Sequence, residues 1–100
     1  MSVDNRVEAR LQNARLLTRI TNLTHEATDL IVQAKRAVNA CNHLGALVRL
    51  GRAKGALLEA LALSEAVSIP DISRDMCNRF RNRLGSVDAL SEIVGRQIRD

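Results

Sequence analysis

A run of apolar residues spaced alternately three and four positions apart constrains this chain more than any other feature. The run comprises Leu16, Ile20, Leu23, Ala27, Leu30, Ala34, Ala37, Cys41, Leu44 and Val48. That spacing places all of them on one side of a helix, and a repeat this long is typical of a coiled-coil-like seam. Gly45 is the predicted break, so we expect a first helix from about residue 4 to residue 42.

Composition indicates that the rest of the chain is helical as well. Leucine and alanine, both strong helix formers, account for 14 and 13 of the 100 residues. Aromatic residues, which favour strands, are reduced to Phe80 alone. The sequence therefore predicts an all-α fold.

The first residues carry a second apolar stripe, formed by Val3, Val7, Leu11 and Ala14. At about 100° per residue this stripe lies nearly opposite the later seam. Either the helix breaks near Asn13, or one continuous helix presents one stripe to its own bundle and the other elsewhere. We expect these four residues to form a partner or oligomer interface.

A second helix is predicted over about residues 46–67, and it is apolar nearly all round, as in the buried centre of a bundle or an oligomer. Its small residues Gly51, Gly55, Ala62 and Ala66 form a face that would let another backbone come close.

A third helix is predicted over about residues 69–99. Ser68 is placed to cap it, with Asp71 as the carboxylate that reaches back and Pro70 in the first turn. Its apolar face continues through Gly85 and Ser86, where we expect a kink or, alternatively, a break into two shorter helices.

The three lengths differ enough to leave a surface uncovered. At about 1.5 Å per residue, the predicted helices are roughly 58, 33 and 45 Å long. In an up-down-up bundle the segment before about Ile20 then has no partner within the chain. We therefore predict a single domain over residues 1–100, with three long amphipathic helices in a bundle, that associates into a homo-oligomer or docks on another protein.

No residue pattern points to catalysis, a cofactor or a metal. His25 and Asp29 fall at the two ligand positions of a zinc-protease helix, but that motif needs histidine at both. We expect these two side chains to pair on the surface instead. Cys41 and Cys77 are predicted in helix interiors as free thiols. With neither a secretory signal nor an apolar run of about 18 residues, we predict a non-enzymatic cytoplasmic protein without membrane contact.

The net charge of +4 comes mainly from arginine. Arg74, Arg79, Arg81 and Arg83 lie within ten positions of one another and are candidates for contacting an anionic partner. Arg79 and Arg83 fall beside the apolar stripe, where pairing with internal carboxylates is the competing interpretation. A GC-rich genome would also explain the excess of arginine.

These features favour a non-catalytic helical interaction protein that oligomerises, docks on a protein or nucleoprotein complex, or does both. Small regulators and inhibitors, such as those of mobile elements, often have this character. Two alternatives remain open. One is a nucleic-acid-associated protein that uses the arginines of the third helix for phosphate contacts. The other is an oligomer that binds a small anionic ligand between arginine side chains.

Overall fold

The chain forms three helices, each of which runs antiparallel to the one before it. A computed structural model describes residues 3–99, with side chains from Asp4 onward. The helices are α1 (Val3–Asn39), α2 (His43–Glu65) and α3 (Pro70–Arg99), and the described residues include no strand. The Cα atoms extend over 62 × 18 × 13 Å. The prediction of an all-α fold with three long helices is confirmed.

Helix α2 lies against both of the other helices, whereas α1 and α3 approach each other much less closely. Its buried side is built largely of small residues, which lets the backbones of its neighbours come near. The core joins these residues to the seam of α1 and to apolar residues of α3. Its buried members are Ile20, Leu23, Ala27, Ala34, Ala46, Leu50, Ala56, Leu57, Ala60, Val67, Phe80, Val87 and Val94.

The first turn comes earlier than predicted. The amide of Asn42 donates to the carbonyl of Ala37 at 2.7 Å, and the amide of Cys41 donates to the carbonyl of Val38 at 2.9 Å. This pair of bonds closes a helix end with one residue in the left-handed region, and that residue is Cys41, with φ of 62°. Cys41 is exposed, so its predicted place in the seam is wrong.

Gly45 serves the start of α2 rather than the end of α1. Asn42 caps α2, because its side-chain oxygen accepts from the amide of Gly45 at 3.0 Å. A Cβ atom on Gly45 would lie 2.5 Å from the Asn42 side chain. The absence of a side chain at residue 45 therefore lets the cap close, and Leu44 and Val48 belong to α2, where both are exposed.

The second turn fastens α2 and α3 to the lower part of α1. The Asn13 amide nitrogen donates to the Ser68 hydroxyl oxygen at 2.8 Å, and the Ser68 backbone amide donates to the Asn13 side-chain oxygen at 3.1 Å. Ser68 thus contacts α1 and is not the cap of α3. The first helical bond of α3 is accepted by Ile69, from the amide of Ser73 at 2.9 Å.

Both long helices are continuous where the sequence left a choice. Helix α3 runs through Gly85 and Ser86 without an interruption, and a Cβ atom on Gly85 would meet nothing within 4 Å. Helix α1 runs through Asn13, so one helix carries both apolar stripes.

The bundle covers more of α1 than the predicted lengths of the three helices implied. Leu16 and Leu17 pack on the core and Asn13 is bonded to Ser68, so coverage within the chain reaches residue 13 instead of stopping near Ile20. Residues 4–12 are all exposed. We call residues 4–12 the projecting segment.

Candidate interaction surfaces

The apolar residues of the projecting segment point away from the bundle. Val7 and Leu11 are 50% and 52% exposed, and Ala14, one turn further along, is exposed as well. Counted at about 100° per residue, their face lies opposite Leu23 and Ala27, which are buried. The fourth residue of the predicted interface, Val3, lies at the start of α1, and its side chain is outside the described residues.

The same outer face of α1 continues past Ala14 as a shallow depression. It has a volume of about 370 Å³ and is lined by Leu11, Ala14, Arg15, Thr18, Arg19 and Asn22. An apolar strip with a polar margin therefore extends from Val7 to the level where the bundle begins. Val7 is not among the residues of the core or those packed against it.

The four candidate arginines of α3 are bonded within the chain. Ion pairs join Arg74 to Asp71 at 3.5 Å, Arg79 to Asp75 at 3.1 Å and Arg81 to Glu65 at 3.9 Å. The guanidinium of Arg83 donates to the hydroxyl of Thr28 at 2.8 Å. All three ion pairs are exposed to solvent, where such pairs contribute about 0–1 kcal/mol to stability.

The four arginines do not share one surface. Arg79 and Arg83 face the groove between α1 and α3, whereas Arg81 pairs with the end of α2. Spacing alone predicted this division, since residues 79 and 83 are four apart and residues 74 and 81 are seven apart. The cluster that is compact in the sequence is therefore split in space.

The groove between α1 and α3 holds two open cavities. A cavity of about 300 Å³ has Ile20, Met76 and Phe80 among its lining residues, with His25 and Arg79 at its margin. A second of about 270 Å³ lies further along, beside Ile31 and Leu90. The Arg83 side chain lines both cavities and reaches across the groove to Thr28.

The outer side of α2 forms a third surface, which we call the α2 outer face. It comprises Leu44, Val48, Gly51, Gly55, Leu58 and Ala62, with Ala66 at the C-cap of the helix, and all of them are exposed. Leu44 is 69% and Val48 is 62% exposed. The small residues of this face were recognised in the sequence, whereas Leu44 and Val48 were counted with the apolar run of the first helix, although Val48 also falls within the predicted second helix. The signal that could have placed them is the Asn42 cap three residues before Gly45.

The side chains that could support metal binding or catalysis are dispersed over the described residues. Within residues 3–99 no three side chains of histidine, cysteine, aspartate or glutamate come together as metal ligands would. His25 and Asp29 form no ion pair with each other, although the sequence predicted one. Cys77 is buried, whereas Cys41 is exposed. None of the three helices contains a stretch apolar and long enough to cross a bilayer, counting the described residues.

Comparisons of the chain with protein-family models, with curated proteins and with solved structures found no match. The geometry of the three surfaces is what indicates a function.

Proposed function

We propose that this chain is a non-catalytic helical interaction protein that docks on a protein partner through the outer face of α1, from Val7 to Thr18. The observation that supports this is the position of Val7 and Leu11, half exposed on a helix that extends beyond its own bundle. A partner would receive them as the anchors of an amphipathic helix laid in an apolar groove.

The free energy available from this contact is modest per residue. Burying a fully exposed Val or Leu side chain contributes about 1.5–3 kcal/mol, and Val7 and Leu11 still have half of that area to bury. The shallow depression beside Arg15 and Thr18 adds further area. The contact is thus suited to a regulator or inhibitor that binds and is released.

Charge specifies the chemistry of the partner. Arg10 and Arg15 stand on opposite sides of the apolar strip, both exposed, and neither has a hydrogen bond or ion pair to a described residue. An apolar groove with carboxylates on both rims would complement them. The four candidate arginines of α3 provide less support for a nucleic-acid interface, because they are divided between two sides of the helix and are bonded within the chain.

The test is a double substitution, Val7→Asp with Leu11→Asp, compared with the wild type in capture of partners from the native cell. The fold should be retained, because neither side chain contacts the core, and circular dichroism checks it. Partner capture should be lost, because two carboxylates in an apolar groove would be desolvated without compensation.

The matched control is Val32→Asp with Ile93→Asp, which changes two other exposed apolar residues, 42% and 53% exposed, away from the proposed contact. That variant should capture the same partner as the wild type. Equal capture by the Val7→Asp, Leu11→Asp variant and the wild type would show that the outer face of α1 is not the docking surface.

A further inference from the structure

We propose that the α2 outer face binds the same face of a second copy of this chain, with the two α2 helices antiparallel. In the proposed register, Leu58 packs over Gly55 of the partner subunit and Arg52 lies beside Glu59 of the partner subunit. This contact is separate from the docking strip on α1, and it adds a self-association that the proposed function does not require.

The face has the spacing of a helix-pairing seam. From Leu44 to Ala62 its residues recur at intervals of four and three, and they lie opposite the buried residues Ala53 and Ala60. Leu44, Val48 and Leu58 are large and exposed, so the face is apolar as well as small. No large side chain stands at its middle.

The middle of the face is open to another helix. Cβ atoms on Gly51 and Gly55 would each meet nothing within 4 Å. Two glycines one turn apart let a second backbone approach closely, and the leucine of one helix then fills the space above the glycine of the other.

Charge selects the occupant and the register. Arg52 borders the face and has no ion pair with a described residue, whereas Glu59, on the same border, is bonded to Arg19 at 2.8 Å. Antiparallel pairing of residue 55 with residue 58 places Arg52 beside Glu59 of the partner subunit, and two-fold symmetry repeats the contact. Glu59 would then lie between two guanidinium groups.

Other arrangements of the same two faces are less favourable. Shifting the antiparallel register by one heptad, so that residue 51 meets residue 55, places Arg52 against Arg52 of the partner subunit. A parallel pair instead leaves Arg52 next to Leu47 of the partner subunit. Only the first register pairs the unbonded cation of this border with a carboxylate.

The area is that of a weak but specific dimer. At 23 residues α2 is about 34 Å long, and a contact strip about 15 Å wide would bury roughly 500 Å² on each copy. The total of roughly 1,000 Å² lies at the lower limit for a specific interface. We therefore expect a dimer whose population rises with protein concentration.

Charge reversal tests the register. By light scattering or sedimentation, the wild type should approach twice 11.0 kDa as its concentration is raised. Arg52→Glu alone and Glu59→Arg alone should each stay monomeric, because each creates two like-charge contacts. An equimolar mixture of the two variants should dimerise, because both contacts are then attractive. Arg36→Glu, a reversal at an exposed residue of α1, should dimerise like the wild type.

A glycine substitution separates dimerisation from folding. Gly55→Lys should raise or preserve the melting temperature, because the site is open and lysine favours helix more than glycine does, but the dimer should be lost. Gly85→Lys, at an equally open site on α3, should have the same thermal effect and keep the dimer.

The proposal is overturned by a wild type that is monomeric at every concentration, by a dimer that persists in Gly55→Lys, or by reversal variants that dimerise alone. The Val7→Asp, Leu11→Asp variant should remain dimeric even though it no longer docks. If it became monomeric, self-association would use α1 and not the α2 outer face.

Discussion

The two parts of α1 have the same helical spacing of apolar residues, but only one of them is covered by other helices. Residues 16–37 and residues 4–12 belong to one uninterrupted helix, and both carry apolar residues at helical spacing. In the first part the stripe is covered by α2 and α3, so that Leu23 is only 2% exposed. In the projecting segment the stripe is turned to the opposite side and Leu11 is half exposed.

The difference shows that periodicity determines which residues share a side, whereas neighbouring helices determine whether that side is buried. An amphipathic helix outside a bundle keeps its form through backbone hydrogen bonds, but its apolar side chains contribute little to the stability of the fold. Such side chains are free to contribute to binding instead.

Removing the same atoms from both parts of α1 tests whether only one of them is packed. Leu23→Ala should lower the free energy of unfolding by about 3 kcal/mol, because it leaves a cavity in the core. Leu11→Ala should change it by less than about 0.5 kcal/mol. Denaturant titration followed by circular dichroism measures both, and a similar loss in the two variants would mean that the projecting segment packs on its own chain.

A second prediction concerns the far end of α1, where the covered part stops. Cys41→Gly should raise the free energy of unfolding by about 1 kcal/mol, because glycine adopts the left-handed conformation of residue 41 without a steric penalty. Cys41→Ala is the control, since it removes the thiol and keeps the penalty, and it should have little effect. Thermal melts under reducing conditions compare the three chains.

A third prediction concerns Asn13, at the boundary between the two parts. Asn13→Ala should lower the free energy of unfolding by about 0.5 kcal/mol, because its exposed bonds to Ser68 are weak and alanine improves the helix. Hydrogen exchange should become faster in the amides around Leu16 and stay unchanged in the middle of the seam. Gln12→Ala, one residue nearer the N-terminus, should leave exchange near Leu16 as it is.

Sequence reasoning succeeded where structure depends on local spacing. The seam from Leu16 to Ala37, the opposed stripe of Val7 and Leu11, and the separation of Arg79 and Arg83 from the other two arginines all follow from the angle per residue. Each requires only that the segment be helical.

Prediction from the sequence failed where the conformation of a single residue decides whether a helix ends or continues. The repeat runs on through Cys41 and Leu44 without a slip, and neither glycine nor proline marks the turn at residues 40–42. The left-handed conformation of Cys41 is uncommon for a residue with a side chain. The cap spacing from Asn42 to Gly45 was the available signal.

Contacts between helices also could not be predicted from the spacing of residues within one helix. The bond from Arg83 to Thr28 joins residues 55 positions apart, and the bonds from Asn13 to Ser68 span the same separation. These contacts depend on the relative height of α1 and α3, which is set by where the two turns occur. Because the first turn was predicted too late in the sequence, the point on α1 where coverage by the bundle begins was also predicted wrongly.

The continuity of α1 has a kinetic consequence for capture by another molecule. Starting an isolated helix is unfavourable, since several dihedral angles must be fixed before the first hydrogen bond forms, but extending an existing one is nearly neutral. The folded bundle supplies that nucleus to residues 4–12, which grow from the turn that contains Asn13. They can therefore fray and re-form within about a microsecond. In the proposed docking they would reach the groove of the partner as an already formed helix.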